Sequence, residues 1–142
     1  MIYCDASVLV ALVAPERFTT AATARLDGVD PKALAYSVWT TVEVASALAR
    51  KERSRALDRA GRAAAELAWR ALAIDMTPVA IGQDEFSRAA ALVDAGPRGL
   101  RAGDALQLAV VLAQRLPLAT LDRDLADAAE AVGVDVALRP PA

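Results

Sequence analysis

Four acidic residues stand at the edges of apolar segments. Asp5 follows Ile2-Tyr3-Cys4, Glu43 lies between Val42 and Val44, Asp104 precedes Ala105-Leu106, and Asp122 follows Leu118-Ala119-Thr120-Leu121. Carboxylates gathered against apolar walls repel one another unless a cation neutralises them. Mg2+ or Mn2+ is the natural partner, because hard divalent cations take oxygen ligands and need neither histidine nor cysteine. The composition narrows the chemistry to the same groups. The chain has no histidine, which excludes a Ser-His-Asp triad, a Cys–His pair, a histidine general base and a His-ligated zinc site. Its single cysteine, Cys4, excludes an internal disulfide framework and a four-cysteine zinc site, and suits a reducing, cytoplasmic setting. Each acid also has a simpler role. Asp5, Asp104 and Asp122 precede helices and Asp is a preferred N-cap, while Glu43 could be a solvated helix position.

The charge balance fits a small acidic pit in a mildly basic body. The 142-residue chain has a net charge of -2, with 16 basic and 18 acidic residues; without the four acids, the basic residues are in excess. An acidic protein is a poor bulk binder of nucleic acid but can carry a local basic patch. Arg50, Lys51, Arg53, Arg55, Arg59 and Arg62 form the densest basic stretch. Arg55, Arg59 and Arg62 have the spacing of one helical face, either for phosphate contact or as a solvated face in which Arg62, Glu66 and Arg70 form a charge ladder. Aromatic residues are 4% and scattered, so a base-stacking platform is not supported.

The elements that must position these groups follow from the apolar patterning. Strands are expected at Ile2–Cys4, 33–36, 74–76, 118–121 and 134–138. Helices are expected at 6–14 (stopped by Pro15), 18–26 (ending at Gly28), Val38–Arg53, 57–73, 84–95 (closed by Gly96-Pro97), 102–116 and 123–132 (ended by Gly133). Val38, Val42, Ala45 and Ala49 recur at helical spacing. Segment 102–116 is apolar nearly all round, as a buried helix is. Short apolar strands alternating with helices predict a single α/β domain with a central, mostly parallel sheet of four to five short strands and helices on both faces. Ligands of such sheets bind beyond the carboxyl ends of the strands, where Asp5 and Asp122 fall. No apolar run reaches the roughly 20 residues that span a membrane, and the N-terminus lacks the basic leader of a signal peptide.

The motifs resemble those of PIN-domain ribonucleases, in particular the VapC toxins of toxin–antitoxin pairs. Ile2-Tyr3-Cys4-Asp5-Ala6-Ser7-Val8-Leu9 is similar to the family's opening strand and acidic turn. Ser37 to Leu48 resembles the segment with the catalytic glutamate, at Glu43. Leu100 to Ala109 resembles the third acidic motif, and Thr120-Leu121-Asp122-Arg123-Asp124-Leu125 the fourth. The order and spacing hold to about Leu138. The resemblance implies a PIN-like domain over residues 1–142 that cleaves RNA phosphodiesters with Mg2+ or Mn2+. Asp5, Asp104 and Asp122 would be metal ligands, and Glu43 would bind metal or orient the water. Ser7, Thr120 and Asp124 would assist the metal site or cap helices. It further implies a homodimer and a small VapB-like antitoxin, with a groove formed by Val8 to Val13 and the helices at 18–26 and 42–53.

Other carboxylate chemistries fit less well. A phosphoaspartyl receiver needs paired acids after the first strand and a lysine near the last, whereas Asp5 stands alone and no lysine follows Lys51. A dehalogenase-type phosphatase needs D-x-D where this chain has Asp5-Ala6-Ser7. A non-catalytic PIN-like binding module would be expected to have lost acids, and here they are intact. A housekeeping PIN nuclease without an antitoxin is the remaining alternative.

Overall fold

Three apolar residues, Ile2–Cys4, form the central strand β1, and their side chains alternate between two cores, as the period of a strand requires. Tyr3 packs into one cluster with Leu108, Val111 and Leu125; Cys4 packs into the other with Val8, Leu9, Val44 and Leu48. The computed structural model describes residues 1–14 and 19–140. In chain order, β1 is followed by α1 (Ala6–Val13), α2 (Thr19–Leu26), a 3-10 turn (Pro31–Ala33), β2 (Leu34–Ser37), α3 (Val38–Arg53), α4 (Arg59–Asp75), β3 (Thr77–Val79), α5 (Gln83–Ala95), α6 (Ala102–Gln114), β4 (Leu118–Ala119), α7 (Arg123–Ala131) and β5 (Val136–Leu138). The expected starts of the second helix at Phe18 and of the break at Pro15 lie outside the described residues.

The five strands run β3-β2-β1-β4-β5, and every pairing is parallel. The sheet is therefore wholly parallel, with helices on both faces. The chain winds outward from β1 through β2 to β3, then returns to place β4 on the other side of β1. That reversal opens a crevice beyond the carboxyl ends of β1 and β4. Asp5 and Asp122 are the residues that leave the sheet there.

Local rules account for most boundaries. Asp5 caps α1, accepting from the Ser7 and Val8 N–H groups. Ser37 and Thr40 make a reciprocal capping box that starts α3 directly at the end of β2. Gly133, at φ +82°, closes α7 in a Schellman turn: its N–H bonds Glu130 O and the Val134 N–H bonds Ala129 O. In α6, Ala105 to Val111 are all buried. Among the described residues no helix is long and apolar enough to cross a membrane.

Several expectations are corrected. The third strand is not 74–76: α4 continues through Asp75, leaving Ile74 82% exposed, and the strand forms at Thr77–Val79. Pro78 is tolerated there because β3 is an edge strand. The Val38, Val42, Ala45 stripe of α3 faces outward, while Thr40, Val44 and Leu48 face the core. The Arg55–Arg59–Arg62 face does not form, because α3 ends at Arg53, Arg55 takes a left-handed turn at φ 61°, and α4 starts only at Arg59. Asp104 lies inside the first turn of α6, with Arg101 at the N-cap, rather than before the helix.

Candidate active site

Asp5 emerges from β1 into the crevice and is held there by both of its oxygens. Oδ1 accepts from Ser7 N (2.9 Å), Ser7 Oγ (2.6 Å) and Val8 N (3.2 Å); Oδ2 accepts from Thr120 Oγ1 (2.8 Å). The same hydroxyls bind the β4–α7 loop. Ser7 Oγ accepts from Leu121 N at 2.7 Å, and Thr120 Oγ1 accepts from Asp122 N at 3.0 Å. Ser7 and Thr120 thus tie the two strand ends across the switch point. Asp122 in turn caps α7, its Oδ1 accepting from Asp124 N (2.9 Å) and Leu125 N (3.1 Å). Capping and site-forming roles coincide at Asp5 and Asp122.

Glu43 approaches from α3. Its helix is fixed to β1 by the buried Tyr3 hydroxyl, 2.7 Å from Ser37 Oγ and 2.9 Å from Thr40 Oγ1. The Gln107 amide on α6 donates to Glu43 Oε2. Asp104 enters from the first turn of α6, where the charge and the backbone N–H of Arg101 favour its ionised form.

These four acids line a single cavity of about 410 Å³, together with Ser7, Arg50, Lys51, Arg101 and Gln107. Thr120 lies fully buried beneath it. Asp124 is on an adjoining cleft of about 360 Å³ that shares Arg101 and Asp104 with the first. Of the basic stretch, Arg50 and Lys51 reach the cavity. Arg53 and Arg55 do not line it, and Arg59 and Arg62 line a separate hollow with Glu52 and Glu66. Arg62 is committed there to Glu52 (2.6 Å) and Glu66 (2.9 Å). Residue type and spacing do not by themselves mark Arg101, Gln107, Trp39 or Gly103 as site residues. A lone amide within the apolar run 105–111, and a cation three residues before an acid, are the signals that could have found Gln107 and Arg101.

Burial is the first cause of a raised pKa at three of the acids, and the charge of a neighbouring acid adds to it at two. Burial, against the opposing hydrogen bonds of Ser7, Thr120 and Val8, pushes Asp5 up to about 6. Burial and then the Asp5 charge push Glu43 up to about 7, although Gln107 opposes this, as does the nearby Trp39 indole, which lies outside regular hydrogen-bond geometry. Burial and the Asp122 charge raise Asp104, partly offset by Arg101. A divalent cation would relieve all three. Among the described residues no three acidic or cysteine side chains form a ready-made ligand cage. The oxygen donors that Asp5, Glu43, Asp104 and Asp122 bring to the cavity are of the type a hard cation takes, and Mg2+ keeps several waters and needs only one or two carboxylates directly.

Comparison with known proteins agrees with this architecture. The family model described as PIN domain matches residues 2–131. The fold is similar to VapC20 of Mycobacterium tuberculosis, described as a sarcin–ricin-loop-cleaving toxin, with 22% identity and a TM-score of 0.71 over 99% of this chain and 100% of that one. It is similar to PAE2754 of Pyrobaculum aerophilum, with 25% identity and a TM-score of 0.69 over 95% and 88% of the two chains. It is also similar to a chain of a toxin–antitoxin complex from Klebsiella pneumoniae, with 21% identity and a TM-score of 0.66 over 98% and 99%. The search of curated proteins gives no match.

Proposed function

Since the chain belongs to the PIN domain family, we propose that it is a divalent-cation-dependent endoribonuclease and the toxin of a toxin–antitoxin pair. The observation that carries this reading is the convergence of Asp5, Glu43, Asp104 and Asp122 on one cavity at the switch point of the sheet. Support for the toxin role comes from the fold likeness to VapC20 and to the Klebsiella complex.

Asp5, Asp104 and Asp122 would hold Mg2+ or Mn2+. When bound, the cation supplies Lewis-acid stabilisation of charge on the phosphate oxygens and a lowered water pKa. Asp5 is pre-set for this task, because Ser7, Val8 and Thr120 fix its rotamer before any ligand arrives. Glu43, held on the cavity wall by the Gln107 amide, orients the attacking water and takes its proton. Arg50, Lys51 and Arg101, on the cavity wall, bind backbone phosphates and offset the acids for a polyanionic substrate. RNA is the substrate, the cytoplasm is the site of action, and a small VapB-like antitoxin is the partner. The same reading includes a homodimer. Its support is the exposed apolar surface of α3 and α5, where Val38, Val42 and Phe86 are 69%, 57% and 58% exposed.

The test is cleavage of RNA by metal-stripped protein. Mg2+ or Mn2+ should restore activity, EDTA should abolish it, and Asp5→Asn should lose it while keeping a folded circular dichroism spectrum. Cleavage undiminished in EDTA contradicts the reading.

A further inference from the structure

Glu43 is gripped from a neighbouring helix. On α3, Trp39 and Glu43 stand four residues apart and so share a face; on α6, Gly103 and Gln107 do the same. These faces meet. The Gln107 amide donates to Glu43 Oε2. A Cβ added at Gly103 would come within 3.0 Å of Glu43 Oε1 and 3.4 Å of the Trp39 ring. One carboxylate oxygen is held by an amide, and the other lies against a glycine where any side chain would crowd it.

Core packing does not account for Gln107. It is 2% exposed and is the one polar residue in the buried run Ala105 to Val111. Among the described residues its buried Oε1 has no hydrogen-bond partner, a state that costs stability. A leucine of similar volume would fill the same helix face without that cost. The acidity of Glu43 decides which end of the amide faces it, since a carboxylate only accepts. We propose that Gln107 is a positioning residue: its amide, with room left by Gly103, holds the Glu43 carboxylate in the orientation that acts on water in the cavity. This rests on the ribonuclease reading above.

The test compares Gln107→Leu, Gln107→His and Gly103→Ala with the parent in steady-state RNA cleavage with Mg2+. Gln107→Leu should fold and lower kcat by roughly 10- to 100-fold, the scale of a small misplacement of a reacting group, with KM unchanged. Gln107→His should recover most of the loss, because its Nε2 stands as many bonds from Cα as that of glutamine and can donate. Gly103→Ala should lower kcat, because its Cβ would meet Glu43 Oε1 at 3.0 Å and shift the carboxylate. Parental kcat in Gln107→Leu, a loss expressed only in KM, or no recovery in Gln107→His overturns the proposal. A separate measurement needs no activity: a double-mutant cycle of Gln107→Leu and Glu43→Ala in metal-free denaturant unfolding. Non-additive unfolding supports the contact and additive unfolding overturns it. Should the parent cut no RNA, the proposed function fails and this cycle still decides the contact.

Discussion

Asp5 uses its two oxygens differently. Oδ1 takes three donors and starts α1, whereas Oδ2 takes only the Thr120 hydroxyl among the described residues. Oδ2 therefore keeps acceptor capacity toward the cavity. Burying such a group has a consequence for stability. Asp5, at about 6, and Glu43, at about 7, lie above their ordinary values of 3.8 and 4.5. Between those limits the folded chain binds more protons than the unfolded chain, so their contribution is present at low pH and is lost as pH rises through about 6 to 7. In EDTA, the Tm should fall between pH 5 and 7.5. Asp5→Asn should flatten that fall by on the order of 1 kcal/mol, because only about one pH unit of the Asp5 shift lies above pH 5. Mg2+ should raise the Tm more at pH 7.5 than at pH 5, because it binds the ionised folded form. Thermal melts across pH check this, and an equal slope in parent and Asp5→Asn contradicts it. At this scale the acids were legible in the sequence because Asp5, Asp104 and Asp122 stand at strand ends or a helix start, and Glu43 lies between apolar residues inside α3. Gln107 was not, because a glutamine inside an apolar helix carries no mark of the carboxylate it meets across 64 residues of chain.

At the scale of elements, capping chemistry and apolar runs located α3 at its observed limits and β1 at its observed limits. They failed where tertiary packing decided. Ile74 looked like strand but extends α4 on its exposed face, and the strand formed around Pro78 at the sheet edge. The arginine-rich segment read as one face because spacing alone cannot reveal the left-handed turn at Arg55. The correction separates two kinds of arginine. Arg62 joins α3 to α4 through Glu52 and Glu66, whereas Arg101 stands at the N-terminus of α6 on the wall of the acidic cavity. Arg101→Ala should raise the KM for RNA several-fold with little change in Tm. Arg62→Ala should lower the Tm slightly and leave KM unchanged. Cleavage kinetics and melts of the two variants check the assignment, and the reverse pattern contradicts it.

At the scale of the whole molecule, one topological event makes the site. The return of the chain from β3 to β4 across β1 opens the crevice, and the hydroxyls of Ser7 and Thr120 pin its two edges together. Helices α3 and α6 then bring Glu43 and Asp104 to the same space from opposite directions along the sequence. The alternation of strands and helices predicted the parallel sheet, but the strand order is set by which faces bury together and is not written in any one segment. The central claim is that this cavity is built for a divalent cation. A crystal structure grown with Mn2+ tests it most directly, through the anomalous difference map. The account predicts a peak in the cavity about 2.0–2.2 Å from a carboxylate oxygen of Asp5, with Asp104 or Asp122 bound directly or through water. An active protein whose cavity shows no such peak, or whose Mn2+ sits away from all four acids, would contradict it.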